Sequence, residues 1–125
     1  MLNNKKVLLF HVAAEKEKQI HTLCKSMQIQ IIVIKKELYD NTLGALAGIT
    51  GMKLSGKKYT GEEFPTDMMI FSGIPSDELD MFLKKYREAM IVPIPLKAVL
   101  TPTNINWKAG DLYQELLREH LSFQK

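Results

Sequence analysis

The 125-residue sequence has a single cysteine, Cys24, and no apolar run long enough to cross a membrane. A transmembrane helix needs about 20 consecutive apolar residues, and a lone thiol cannot form an internal disulfide. The opening MLNNKKVLLFHVAAEKEK has the lysines and the short apolar run of a signal peptide. His11 interrupts that run, however, and charged residues follow at once. We therefore expect a cytoplasmic protein that does not associate with membranes.

Concentrated charge of one sign and paired metal ligands are lacking as well. The 17 lysines and arginines are scattered among 14 acidic residues, for a net charge of +3, whereas nucleic-acid binders concentrate basic residues on one face. The three histidines, His11, His21 and His120, lie too far apart in the sequence for the ligand spacing of a metal site. We therefore expect no nucleic-acid partner, no metal and no cofactor.

What the sequence does contain is a regular alternation of apolar strands and amphipathic helices. Ile20, Leu23, Cys24 and Met27 are spaced i, i+3, i+4, i+7, which predicts a helix with the thiol on its buried face. Similar helical patterns separate or follow four strand-like runs, giving the order βαβαβαβα. The four predicted strands are VLLFHV, IQIIVIKK, MMIFSGI and PIPLKAVLT.

This alternation predicts one α/β domain over residues 1–125, a small three-layer α/β/α sandwich. We expect a four-stranded, mostly parallel sheet in the order 2-1-3-4, like a shortened flavodoxin-like sheet. The fourth strand is then an edge, where Pro93 and Pro95 are well tolerated. Right-handed crossovers would place the first and last helices side by side on one face of such a sheet.

The stretch GMKLSGKK, Gly51–Lys58, differs in one residue from the phosphate-binding loop G-x-x-x-x-G-K-[ST]. Lys58 stands where that loop needs a hydroxyl to hold magnesium, and no helical pattern follows it to supply backbone amides for phosphate. We interpret the stretch as part of a flexible Gly/Lys-rich loop at about 48–67. Lys57→Ala should accordingly have little effect on stability.

Candidate ligand-binding residues follow from the predicted sheet, because doubly wound sheets bind ligands beyond the carboxyl ends of their strands. His11 lies near the end of the first predicted strand, and Ser72 and Gly73 lie near the end of the third. A histidine base beside a serine hydroxyl would suit catalysis, but no carboxylate is placed to orient the imidazole. We favour a packed histidine and a turn serine, and we assign no catalytic residue.

Lys97 interrupts the otherwise apolar fourth strand and has two interpretations. An edge lysine that blocks strand-to-strand aggregation is the favoured one. A contact to an anionic ligand is the alternative.

Roughly residues 68–121 resemble a bacterial family, domain of unknown function 3783. The residues that carry the resemblance are MMIFSG, then Leu79, Leu83 and Arg87, then IPLKAVLTPTNINW, and finally LYQELLREH. TLGALAG extends the resemblance more weakly towards the N-terminus. The resemblance implies a small bacterial cytosolic protein, and it implies no reaction.

The resemblance directs attention to the turn after the fourth strand, where Thr101, Thr103 and Asn104 are polar. Either the turn structure or a ligand would account for these residues. The complete set of candidate ligand-binding residues is His11, Ser72, Gly73, Lys97, Thr101, Thr103 and Asn104.

Two hypotheses about function remain. The first is a non-enzymatic binding or protein-interaction module that binds a protein partner or a second copy of itself, because the sequence has no complete catalytic set, no set of metal ligands and no intact phosphate loop. The alternative is a small enzyme or a nucleotide- or anion-binding domain that uses the carboxyl end of the sheet. That alternative requires a concave pocket touching His11, Ser72 and Thr101.

Overall fold

The computed structural model describes residues 4–123 and contains the predicted alternation of strands and helices. A short 3-10 turn at Lys36–Leu38 precedes the second helix. The elements in chain order are β1 (Lys6–Phe10), α1 (Ala14–Ser26), β2 (Gln30–Ile34), α2 (Leu43–Leu46), β3 (Met68–Ser72), α3 (Ser76–Glu88), β4 (Leu96–Val99) and α4 (Ala109–Phe123).

The four strands form one sheet in the predicted order β2-β1-β3-β4. β1 pairs in parallel with β2, and β3 pairs in parallel with β4. The central pair, β1 and β3, is antiparallel, with Lys6 opposite Ser72 and Phe10 opposite Met68. The α/β class and the strand order are therefore confirmed. The sheet is mostly parallel but mixed, so the flavodoxin-like arrangement is not confirmed.

The connection between β2 and β3 explains the direction of β3. α2 brings the chain to the end of the sheet where β1 begins, and there the Lys6 ammonium donates to the Ala47 carbonyl at 2.6 Å. Residues 48–67 then lead back to the opposite end, where Glu63 lies 3.7 Å from His11. Because this irregular segment makes the return passage itself, β3 starts beside the end of β1 and runs the other way.

Alternate strand residues supply two cores, one on each face of the sheet. On one face, Val7 and Leu9 of β1 pack against Ile20 and Cys24 of α1 and Phe82 of α3. The other face is covered by α2, α4 and the long connection. Burial raises the pKa of the Cys24 thiol to about 12, so this residue is part of the core, as predicted.

The predicted pairing of the first and last helices is wrong, because α1 packs against α3. Our expectation assumed that all four strands run the same way. The β3–β4 crossover moves across the sheet in the opposite direction to the β1–β2 crossover, and it also starts from a strand that runs the opposite way. These two reversals cancel, so a right-handed β3–β4 crossover puts its helix on the same face as α1. The antiparallel central pair therefore brings α3 to the face of α1 and leaves α4 on the other.

The connection 48–67 has one exposed part and one anchored part. Side chains from Lys53 to Lys58 are exposed. Phe64, by contrast, is buried between two tyrosines, with ring centroids 4.1 Å from Tyr39 and 4.1 Å from Tyr113. This stack joins the connection to α4 and to the segment after β2, so it fixes where β3 begins.

We therefore expect Phe64→Ala to destabilise the protein by about 3–5 kcal/mol, because it removes the middle ring of a buried stack. Lys57→Ala is the control within the same connection, and it should change the free energy of unfolding by less than about 0.5 kcal/mol. Urea denaturation followed by circular dichroism measures both values. Equal effects of the two variants would contradict the division into anchored and exposed parts.

Candidate functional site: a cleft at one end of the sheet

A cleft of about 610 Å³ lies at the end of the sheet where β1 begins and where β3 and β4 finish. Its floor comes from the strands, one wall from the segment after α2, and the other wall from the turn after β4. The lining residues are Asn4, Lys6, Gly48, Ile49, Thr50, Ser72, Gly73, Leu100, Thr101, Pro102 and Ile105.

The floor of the cleft depends on a close backbone contact at Gly73. This residue has φ +70°, and a Cβ atom built on it would lie 2.4 Å from the carbonyl oxygen of Asn4. No side chain fits at that distance, and the left-handed conformation also favours glycine. Gly73 thus lets the chain leave β3 against the segment that enters β1, with the buried Ser72 beside it.

Lys6 supplies the positive charge of the cleft. Its ammonium donates to the Ala47 carbonyl at 2.6 Å, which occupies one of its three N–H groups. Gly48 faces the same ammonium, because a Cβ built on it would lie 3.4 Å from Nζ. The other side chains that line the cleft within the described part of the chain are neutral, so the positive charge there comes from Lys6.

The turn that forms the second wall is stabilised by reciprocal hydrogen bonds between Thr101 and Asn104. The Thr101 backbone N–H donates to Asn104 Oδ1 at 2.8 Å, and the Asn104 N–H donates to Thr101 Oγ1 at 3.2 Å. This is the pattern of a capping box, with Pro102 at the first position of the turn. The Thr101 hydroxyl keeps its own proton free to donate.

The Asn104 side chain also covers part of the open edge of β4. Leu100 N–H donates to Phe71 O in β3, so the backbone groups of Val99 and Thr101 point away from the sheet. Asn104 Nδ2 donates to Val99 O at 3.0 Å while its Oδ1 accepts from Thr101. The amide thereby makes the two hydrogen bonds that a residue of a neighbouring strand would make, and it blocks strand addition there.

The same turn closes the N-terminus of α2. Leu43 N–H donates to Trp107 O and Gly44 N–H donates to Ile105 O, both at 2.9 Å. Because these two backbone N–H groups already donate to carbonyls, they are not available to bind an anion. The positive character of the cleft therefore comes from Lys6.

The structure brings together three of the seven predicted site residues: Ser72, Gly73 and Thr101 line the cleft. Asn104 lies beside them, with its side chain bonded within the turn, and Thr103 is exposed on that turn. Lys97 lies away from the cleft, where its ammonium donates to Ile94 O at 2.8 Å.

His11 lies at the opposite end of the sheet, so its predicted position beside Ser72 is wrong. The prediction required β1 and β3 to be parallel, whereas they are antiparallel. His11 has φ +58°, and its Nδ1 is 3.7 Å from Glu63. Glu63 also accepts from the Tyr39 hydroxyl at 2.5 Å. Burial, together with this carboxylate, raises the pKa of Tyr39 well above its usual range.

Lys6, Asn4 and the segment Gly48–Thr50 were missed by sequence reasoning. Each belongs to the cleft only because β1 begins where β3 ends. That arrangement depends on pairing between residues far apart in the sequence. A local signal did exist in Lys6, a lysine placed directly before a fully apolar run.

Gly51–Lys58 lacks the surroundings of a phosphate loop. The stretch lies between α2 and β3, and residues 52–67 form no helix. The Ser55 N–H donates to the buried Asn41 side chain at 2.6 Å, and Lys57 N–H donates to Ser55 Oγ at 3.3 Å. These contacts hold the stretch against the protein as a surface loop.

Among residues 4–123, no group of three or more histidine, cysteine or acidic residues could hold a metal ion. In the same part, no helix is both long enough and apolar enough to span a membrane.

Residues 67–123 match a family model described as domain of unknown function (DUF3783). The match confirms the resemblance found in the sequence, and it covers β3, α3, β4 and α4. No curated protein and no solved structure matches the chain.

Gly73→Ala should destabilise the protein by more than about 3 kcal/mol, because the new methyl group would overlap the Asn4 carbonyl in a left-handed conformation. Gly51→Ala is a matched control: Gly51 has φ +86°, but nothing lies within 4 Å of its Cβ position. Conformational strain alone should cost about 1–2 kcal/mol there. Urea denaturation compares the two, and equal losses would contradict the close contact.

Asn104→Ala should cost about 1–2 kcal/mol of stability, because two backbone groups of the β4 edge lose their partner. Thr103→Ala, one residue earlier on the same turn, should cost less than about 0.5 kcal/mol. The measurement is again urea denaturation, with light scattering to detect pairing through the uncovered edge. If the two variants are equally stable, Asn104 does not hold the turn.

Proposed function

We propose that this chain, similar over residues 67–123 to a family of unknown function, is a non-enzymatic binding module for a small organic anion. The observation that carries the proposal is the cleft at the end of the sheet, in which Lys6 is the only charged lining residue among residues 4–123. An ammonium among neutral polar groups attracts a carboxylate or a phosphate ester, and no lining carboxylate repels it.

The size and the donors of the cleft suit such a ligand. Its volume of about 610 Å³ lies within the usual range for small-molecule sites. Lys6 retains N–H groups beyond the one given to Ala47. The hydroxyl of Thr101 and the amide of Asn4 add neutral donors, while Ile49, Leu100 and Ile105 provide apolar contact for a carbon skeleton.

Binding is favoured over catalysis by what surrounds Ser72. A serine nucleophile needs a base within hydrogen-bond distance. The lining residues between positions 4 and 123 include neither a histidine nor a carboxylate. The nearest candidate from the sequence, His11, lies at the other end of the sheet. An enzyme that uses the same cleft is the alternative function, and it would require the ligand to bring its own reactive group.

A protein-interaction role is supported by a different surface. Met90 and Val92, just after α3, are 86% and 63% exposed. Two neighbouring apolar side chains at this exposure are a small contact area, so we place this role second. Light scattering distinguishes self-association from a monomer.

Calorimetric titration with phosphate monoesters, including nucleotides, and with small di- and tricarboxylates tests the proposal. We expect at least one of these anions to bind. Lys6→Gln should lower the affinity for that anion about tenfold or more, because a charge-assisted contact is lost. Glutamine keeps a donor for the Ala47 carbonyl. Lys18→Gln, on the exposed face of α1, removes the same charge and should leave the affinity unchanged.

Three results would count against this function. The proposed function would be wrong if no anion in the panel binds. It would also be wrong if the wild type and Lys6→Gln bind an anion with equal affinity. Conversion of a bound ester into products would move the protein to the enzyme class.

A further inference from the structure

A second concave surface lies between α3 and β4, on the face of the sheet opposite the core that contains Phe64. It consists of a cavity of about 250 Å³ bordered by Met69, Leu83, Tyr86, Arg87, Ile94 and Lys97. A smaller hollow of about 160 Å³ extends it along β4 to Val99, and the two share Leu83 and Lys97. We refer to both together as the α3–β4 groove.

The polar side-chain atoms in the walls of the α3–β4 groove are hydrogen-bonded to backbone carbonyls, so the surface that the walls present is mainly apolar. The Tyr86 hydroxyl donates to Val92 O at 2.6 Å, and the Lys97 ammonium donates to Ile94 O at 2.8 Å. Burial and the Asp67 carboxylate raise the pKa of Tyr86 to about 12, so this hydroxyl stays neutral. A ligand inside the groove would meet mainly methyl, methylene and aromatic carbon.

Within residues 4–123, the charged side chains that border the groove are two cations, Arg87 and Lys97. The Arg87 guanidinium makes no hydrogen bond or ion pair with another described residue. The nearby Asp67 carboxylate forms its ion pair with Lys16 at 2.6 Å. Burial lowers the pKa of the Lys97 ammonium, and the charge of Asp67 partly opposes that shift. An apolar groove with an unpaired guanidinium at its border is complementary to an apolar molecule that ends in an anion.

We propose that the α3–β4 groove binds a single acyl chain with a carboxylate head group, with the chain along Leu83 and Val99 and the carboxylate at Arg87. The site is separate from the cleft that contains Lys6. It requires neither the cleft nor its ligand.

An acyl chain fits this groove better than a peptide that pairs with β4. Asn104 already occupies Val99 O and Thr101 N–H on the open edge. Pro93 and Pro95 offer no N–H groups before the strand. An acyl chain has no backbone groups to satisfy, so it can lie against the groove without an open strand edge.

The probe is dodecanoate, titrated below its micelle concentration into the full chain at pH 7.5 and followed by calorimetry. We expect saturable binding with one equivalent per chain. Octanoate, which is four methylenes shorter, should bind at least about tenfold more weakly, since each buried methylene contributes to the affinity. Dodecyltrimethylammonium should bind more weakly than dodecanoate, because its head group is repelled by Arg87 and Lys97.

Two pairs of variants locate the site. Arg87→Gln should weaken dodecanoate binding about fivefold, while Lys84→Gln, an exposed lysine on the same helix, should not change it. Val99→Glu places a carboxylate at the groove, and we expect it to abolish measurable binding. Val33→Glu, at a similarly exposed valine on the other edge strand, is its control. Circular dichroism verifies that all four variants are folded.

Several outcomes would overturn this inference. One is the absence of dodecanoate binding, and another is equal binding by Val99→Glu and Val33→Glu, which would mean adsorption elsewhere. Equal affinity for the cationic amphiphile would show that the head group is not recognised. If an apolar peptide with acidic residues displaces dodecanoate at a lower concentration, the occupant is a protein segment. Loss of binding in Lys6→Gln would place the acyl chain in the cleft.

Discussion

The antiparallel pairing of β1 with β3 is the constraint on which the rest of the structure depends. The register places Lys6 opposite Ser72, and this brings a cation to the end of the sheet where β3 and β4 finish. The same pairing puts α1 and α3 on one face and leaves the other face to α4 and the long connection. The cleft, the α3–β4 groove and the isolation of His11 all follow from the direction of one strand.

That direction is fixed by packing between residues that are distant in the sequence. Phe64 lies between Tyr39 and Tyr113, which come from the segment after β2 and from α4. The stack can form only when the connection has crossed to the end of the sheet near His11. This stack of aromatic rings holds the connection at the end of the sheet from which β3 starts.

Local patterns in the sequence were sufficient to predict most elements. The apolar runs identified all four strands, and the spacing of Ile20, Leu23 and Cys24 identified the buried face of α1. The strand order followed from the rules of chain connection and from the two prolines that precede β4. The direction of β3 could not be read in this way, since it depends on aromatic contacts over tens of residues, and Lys6 was missed for the same reason. Ser72 was found because it ends a strand, and Thr101 because the family resemblance directed attention to the turn after β4.

The antiparallel pairing of β1 with β3 also relates the two halves of the sheet to each other. The units β1-α1-β2 and β3-α3-β4 each contain a parallel pair with its helix on the same face, and they meet as two halves related by an approximate twofold axis normal to the sheet. The family match covers the second half together with α4. All five residues of β3 are buried, so a chain limited to this half would leave an apolar strand with one edge unpaired. In this chain β1 pairs with that edge and α1 packs against α3, so the first strand-helix-strand unit covers what the matched half alone would expose.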